Sequence, residues 1–237
     1  MGEGPGELRV ATYNVHGCVG MDGRLDPERV ARVIRQTEAS VVGLQEVDCL
    51  RPLGDGRDQL EQLADAARMT PVPGPTRRRG DGYFGNALLS SHPVVEVERS
   101  DLSVPGYEPR GVLVVELAVG GRPLRVAVTH FGLRAKERAR QVEALLEVLS
   151  QRVDGPTVLM GDFNEWRPRA VTLVEMHALF GYGPPVRSFP SRLPVFALDR
   201  VWVHPSDRLR GVDAHRSPSS RLASDHLPVV ARIVLVD

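Results

Sequence analysis

Six places in this 237-residue chain put an acid, an amide or an imidazole where an apolar run ends or begins. LRVATYN (8–14) ends at Asn14, VVGLQEV (41–47) carries Glu46, and LRVAVTH (124–130) ends at His130. VLMGDFN (158–164) delivers Asp162 and Asn164, ALDRVWV (197–203) carries Asp199 near its start, and Ser224-Asp225-His226 precedes the last apolar run. Singly, each has an ordinary explanation. Asn14 can satisfy a turn, His130 can be a hydrogen-bonded core histidine, and Asp162 with Asn164 can form an Asx turn. Asp199 can pair with an arginine such as Arg200, and Asp225-His226 can cap the last strand. Glu46 is harder to place, because a carboxylate within an apolar strand needs a partner or a metal. Together they would need six independent explanations. Residues i and i+2 of a strand share a face. If extended geometry continues past Gly161, Asp162 and Asn164 therefore point into one cavity and Phe163 points away.

The elements that would carry these residues follow from periodicity and punctuation. Segment 8–14 alternates as a strand. Segment 25–39 reads as a helix, with Asp26 as N-cap, Pro27 at the first helical position and Val30, Val33 and Ile34 on one face. Segment 41–47 is a short apolar run that suits a strand buried on both faces. A helix is expected over 57–69, and a loop over 71–82 from its prolines and glycines. Strands follow at 85–91 and 94–98, then a hairpin from 111–119 and 124–131 around GGRP. The longest helix is expected over 136–153, with Val142, Leu145, Leu146, Leu149 and Val153 on one face. After it come a buried strand (156–162), a helix (168–180) ended at Gly181, and an irregular stretch (181–194). Strands at 197–203, 212–217 and 227–236 close the chain. Hairpins mixed with separate helices imply an α+β fold, two sheets packed together with helices outside. The expected organisation is a flexible lead-in over 1–7 and a single domain over 8–237.

The joint pattern resembles the endonuclease/exonuclease/phosphatase superfamily, the metal-dependent phosphoesterases related to DNase I. The resemblance is carried by TYN (12–14), LQEVD (44–48), GNALLS (85–90), EPRG (108–111), THF (129–131), GDFN (161–164), LDRVWV (198–203) and SDHLPV (224–229), in that order across nearly the whole chain. It implies a four-layer α/β sandwich of two mainly antiparallel sheets. It also implies Glu46 as the principal ligand of Mg²⁺ or Mn²⁺, with Asn14 and Asp225 as direct or water-mediated ligands. Asp162 would orient or deprotonate the attacking water, and Asn164 would hold it or a phosphate oxygen. His226 would bind the phosphoryl oxygen with Asp199 behind it, His130 would contact the phosphate or assist the leaving group, and Asn86 and Arg110 would lie around the phosphate. The chemistry is coherent. A phosphodiester needs a cation on its oxygens, an activated water and relief of charge on the leaving oxygen. Hard oxygen ligands suit Mg²⁺ or Mn²⁺.

Other classes lack their residues. There is no G-x-S-x-G elbow, no P-loop and no H-E-x-x-H. Lys136 is the only lysine, the other 29 basic residues being arginine, so a Schiff base has almost no candidate. A catalytically silent scaffold of the same fold would be expected to lose metal or acid–base residues, and none of the matched positions is lost. The substrate is left open among nucleic acid, a phospholipid or sphingolipid head group, an inositol phosphate and a small diester, with nuclease the first reading taken up. Thirty basic residues balance thirty acidic ones, which lends little to a dedicated DNA groove. Arg77, Arg78 and Arg79 could form a local polyanion patch or a solvated loop, whereas an exposed apolar loop, with Trp166 and Phe189 as candidates, would favour a lipid. Cys18 and Cys49 fit no zinc pattern and read as free thiols. The start of the chain shows no basic segment followed by an apolar one, and no apolar stretch approaches the ~20 residues of a membrane span. The expectation is a cytoplasmic monomer acting on a phosphodiester.

Overall fold

The computed structural model describes residues 6–50, 53, 54, 56–150 and 155–235. The expected lead-in falls outside them over residues 1–5, as does the end of the long helix with Val153. In chain order the elements are β1 (Glu7–Asn14), α1 (Pro27–Thr37), β2 (Val41–Cys49), α2 (Gln59–Ala67), β3 (Thr70–Arg79), β4 (Gly82–Ser90), β5 (Val94–Asp101) and β6 (Gly111–Val119). They continue with β7 (Arg122–His130), α3 (Ala135–Ser150), β8 (Thr157–Asp162), α4 (Val171–Phe180), β9 (Asp199–His204), β10 (Leu209–Ala214), α5 (Ser220–Ala223) and β11 (Val229–Val234).

Two sheets form, one in the order β10-β11-β1-β2-β4-β3 and one in the order β5-β6-β7-β8-β9. Valine-rich inner faces of both sheets meet in a shared core that includes Val10, Leu88, Val115, Val128, Met160, Val201 and Val229. The outer face of the first sheet packs α1 and α2 through Val30, Val33, Ile34, Leu60 and Leu63. That of the second packs α3 and α4 through Val142, Leu145, Leu149, Leu173 and Met176. The result is helix, sheet, sheet, helix, the four layers that the resemblance implied.

Pairing is antiparallel except at β1/β2 and β7/β8. Each parallel pair is joined through a helix, as a parallel crossover requires. This topology positions the site. Asn14 ends β1, Glu46 lies near the end of β2, and His130 and Asp162 are partners in register at the ends of β7 and β8. Antiparallel neighbours begin where these strands end. Asp199 opens β9 opposite Asp162, and the Ser224–His226 segment leads into β11, whose Val229 lies opposite Thr12.

Segment 71–82, expected as a loop, is mostly strand β3. Its prolines do not break it because β3 is an edge strand. Pro71, Pro73 and Pro75 recur at every second position, so their missing N–H groups fall on the side that faces no partner strand. On that side the Pro73 carbonyl accepts from Arg99 Nε at 2.8 Å. The strand expected over 212–217 instead spans Leu209–Ala214, and Ser217 lies beyond it, bonded to Ser220 at the start of α5. Ser220 N donates to Ser217 Oγ at 3.0 Å, and Ser217 N donates to Ser220 Oγ at 2.9 Å. Elsewhere local rules hold. Asp26 caps α1 by accepting from Arg29 N at 2.8 Å, and Asp58 with Glu61 forms a capping box on α2. Both cysteines are buried and free. No helix among the described residues is long and apolar enough to cross a membrane.

At Gly161 the backbone of β7 leaves no room for a side chain on β8. A Cβ there would lie 2.0 Å from the Thr129 carbonyl oxygen. The obstacle is backbone in a central strand pair, so Gly161→Ala must separate the two strands. Overpacking of this kind typically costs about 1–3 kcal/mol, and here the upper end or beyond is expected. A urea denaturation midpoint unchanged from wild type would show that the strands can part freely.

Candidate active site

Glu46 reaches the cleft through a break in β2. Pairing with β4 shifts register between Leu44 and Val47, and Glu46 in that bulge takes a left-handed conformation with φ 57°. A bulge re-aims a side chain, and a non-glycine residue in this region is held there by its surroundings. Burial pushes the Glu46 carboxyl above its ordinary value, only partly opposed by a hydrogen bond from Asn14 and the charge of His226. Asn14 Nδ2 donates to Glu46 Oε1 at 2.9 Å and to Asp162 Oδ2 at 3.1 Å. One amide thus ties an acid of the first sheet to an acid of the second. Its own oxygen accepts from His16 N at 3.0 Å.

Asp162 is the hub. Its Oδ2 lies 3.6 Å from His130 Nε2 and 3.7 Å from His226 Nε2, and its Oδ1 accepts from Asn164 N at 2.9 Å. That last contact is an Asx-type turn, and Asn164 has φ 50° rather than an extended backbone. The chain therefore does not continue as strand past Asp162, yet both side chains line the same cleft. The turn and the shared direction are one feature. Phe163 points away as expected, packing edge-on against Phe131 and Trp202 at 5.0 and 4.8 Å.

The two histidines are set oppositely. His130 receives no direct carboxylate hydrogen bond, its Nε2 being 3.1 Å from Asn164 Nδ2. Burial drives its pKa down to about 3, so it is neutral at pH 7. His226 is equally buried, and burial again opposes its charge. Asp199 and Asp162 outweigh that cost and push it up to about 10. The decisive contact is His226 Nδ1 to Asp199 Oδ2 at 2.8 Å. Asp199 has no exposed surface and also accepts from the Ser188 hydroxyl.

Glu46, Arg110, His130, Asp162, Asn164, Asp225 and His226 line one cleft of about 430 Å³. Asn14 and Asp199 stand immediately behind it, bonded to its lining residues. Asn86 does not face the cleft. Its Nδ2 donates to the Gly111 carbonyl at 3.0 Å, which Thr129 Oγ1 also approaches at 3.1 Å. Asn86 thereby holds the backbone next to Arg110. Arg110 is buried, pairs through Nη2 with Glu108 Oε2 at 3.0 Å, and leaves its Nε without a hydrogen-bond partner among the described residues.

Among the described residues, ligand-type atoms of Asp162, Asp199 and His226 all lie within 4.8 Å of one another. Asp199 and His226 are already bonded to each other, and Asp199 is sealed from the cleft. Glu46 and Asp225 are carboxylates that face it, and Glu46 has been made costly to ionise without a nearby cation. This oxygen donor set fits a hard divalent ion.

Among the supporting residues, Ser188 and Arg138 carried no signal in the sequence, whereas Ser224 belongs to the SDHLPV stretch. Ser188 lies in an aperiodic stretch. Ser224 Oγ donates to Asn14 O at 2.7 Å and accepts from His226 N at 3.2 Å, fastening the late loop to β1. Arg138, on α3, donates to Glu165 Oε2 through Nη2 at 2.7 Å and to Leu133 O through Nη1 at 2.8 Å. It thereby joins the loops that follow His130 and Asn164.

The sequence pattern described as the Endonuclease/Exonuclease/phosphatase family matches residues 11–226. The uncharacterized protein YbhP of Escherichia coli (strain K12) is 32% identical over 245 residues, covering 96% of each chain. Among solved structures, an endonuclease/exonuclease/phosphatase from Beutenbergia cavernae superposes with a TM-score of 0.74 at 26% identity, covering 97% of this chain and 72% of that one. A mannosyl-6-phosphatase from Bacteroides thetaiotaomicron superposes equally well, TM-score 0.74, at 18% identity over 94% of this chain and 98% of that one.

Proposed function

This chain belongs to the endonuclease/exonuclease/phosphatase family, and we propose that it is a divalent-metal-dependent phosphodiesterase using water as nucleophile. The carrying observation is Asn14 bridging Glu46 and Asp162, which sets a candidate cation ligand beside a candidate base. Glu46, with Asn14 and Asp225, would hold Mg²⁺ or Mn²⁺. When bound, the ion would draw charge off the phosphate oxygens.

The remaining roles belong to the chain's own groups. Asp162 accepts a proton from the attacking water, and Asn164 orients that water or a phosphate oxygen. His226, kept protonated by Asp199, donates from Nε2 to a phosphoryl oxygen. His130, neutral, contacts the phosphate or the leaving group. Arg110 turns its guanidinium to the phosphate, a geometry that suits oxyanions. The catalytic domain spans 8–237 and acts as a cytoplasmic monomer.

The nuclease reading gains nothing from Arg77, Arg78 and Arg79. They end strand β3, paired with β4, and are not among the residues that line the cleft, and Arg77 sits over the Phe84 ring at 5.1 Å. A lipid or other organic phosphoester gains from Leu133, Trp166, Phe189 and Phe196, which form an apolar wall of the cleft.

Turnover of bis-p-nitrophenyl phosphate is the test. It should proceed in Mg²⁺ or Mn²⁺, stop with EDTA and return when metal is restored. Absence of metal-dependent turnover on this diester and on plasmid DNA, RNA, sphingomyelin and inositol phosphates would favour a silent scaffold.

A further inference from the structure

The apolar wall continues outward onto the rim. Three segments around the cleft each set an exposed apolar side chain beside an exposed cation. In the loop after β7, Leu133 is 69% exposed and stands next to Arg134 and near Lys136. In the loop after β8, Trp166 is 49% exposed and is followed by Arg167 and Arg169. The third segment is a small hairpin closed by the bridge between Phe189 and Phe196. Its base lines the cleft, and its tip carries Arg192, Leu193 at 73% exposure and Val195 at 49%. The hairpin is ordered by backbone bonds, Val195 N to Phe189 O at 2.9 Å and Leu193 N to Pro190 O at 3.1 Å. Phe196 packs beside Trp166 with centroids 6.0 Å apart, so two of the three segments form one surface. Of the acids that line the cleft, Glu108 is paired with Arg110, and Glu46, Asp162 and Asp225 belong to the catalytic group.

We propose that this rim docks on an anionic phospholipid bilayer, placing the cleft at the lipid–water interface. The inference rests on the phosphodiesterase reading only in taking the cleft as the active site. Apolar side chains flanked by Arg and Lys match a surface whose headgroups are negative and whose interior is hydrocarbon. Nucleic acid would satisfy the cations too, but its bases are held by aromatic stacking. The most exposed apolar side chains here are aliphatic, Leu133 and Leu193, which insert into acyl chains and offer no ring to a base.

Co-sedimentation of the full chain with vesicles tests this, in EDTA so that turnover plays no part. Phosphatidylcholine vesicles containing phosphatidylglycerol should carry the protein down, more weakly at high salt, and pure phosphatidylcholine should not. Leu193→Asp combined with Val195→Asp, two positions outside the cleft, should weaken binding at least ~10-fold, since each buried apolar side chain and each unfavourable charge counts. The same variant should turn over bis-p-nitrophenyl phosphate as wild type does, which shows it folded. Equal binding to both vesicle types, no binding to either, or an undiminished variant would overturn the proposal. So would binding of a single-stranded oligonucleotide, in place of vesicles, that the variant loses. Vesicle binding without any metal-dependent turnover would instead overturn the phosphodiesterase reading and leave the docking surface standing.

Discussion

Glu46→Gln is expected to lower kcat about a thousandfold or more while leaving the fold intact, because electrostatic stabilisation of this kind is among the largest single contributions to catalysis. The exchange is nearly isosteric. The glutamine carbonyl can still accept from Asn14 Nδ2, which reaches Glu46 Oε1 at 2.9 Å. What disappears is the charge. Burial has raised the Glu46 carboxyl above its ordinary value, with Asp162 and Asp225 adding to the effect, so the ionised form is costly in the metal-free protein. Removing it should therefore hold or slightly raise the melting temperature measured in EDTA. Metal binding stabilises a fold by mass action, so Mg²⁺ should raise the melting temperature of wild type and not of the variant. Activity should fall while metal-free stability does not. Full activity in Glu46→Gln would remove Glu46 from the site.

How much of this was legible in the sequence differs by residue, for physical reasons. Strand ends were legible because apolar runs are bounded by polar residues. Chain order then fixed which polar residues arrive, and parallel crossovers brought Asn14, Glu46, His130 and Asp162 to one edge. The chain's three asparagines are Asn14, Asn86 and Asn164, and all three are buried and make side-chain hydrogen bonds at or beside the cleft. So sparing a use of one residue type was a further signal. The bulge at Glu46 was not legible, because a register shift belongs to a pair of strands and not to either alone. Nor was β3, where three prolines mimic a loop until the strand is seen to lie at an edge. Ser188 and Glu165 were hidden for another reason. Their value comes from bonds to Asp199 and Arg138, across 11 and 27 residues of chain, and neither sits in a periodic segment.

Asp199→Asn should cost roughly 10²–10⁴ in kcat, the usual range for acid–base assistance, although Asp199 itself never meets solvent or substrate. Its carboxylate accepts from His226 Nδ1 at 2.8 Å. Two consequences follow from that contact. It keeps the proton on Nδ1, so that Nε2 faces the cleft and Asp162. Together with Asp162 it also offsets the burial that would otherwise strip His226 of its charge, holding the imidazolium up to about 10. An asparagine keeps the size and loses the charge. A cation deprived of a neighbouring anion gives up its proton at lower pH, so the alkaline limb of kcat/KM should move to lower pH in the variant. His226→Ala removes the imidazole altogether. It should lose at least as much rate and show no such limb, and adding Asp199→Asn to it should cost little more, because residues acting as a unit are not additive. A slower enzyme whose alkaline limb had not moved would mean that Asp199 only orients the ring. A double variant much slower than His226→Ala alone would mean that the two residues do not work through one another.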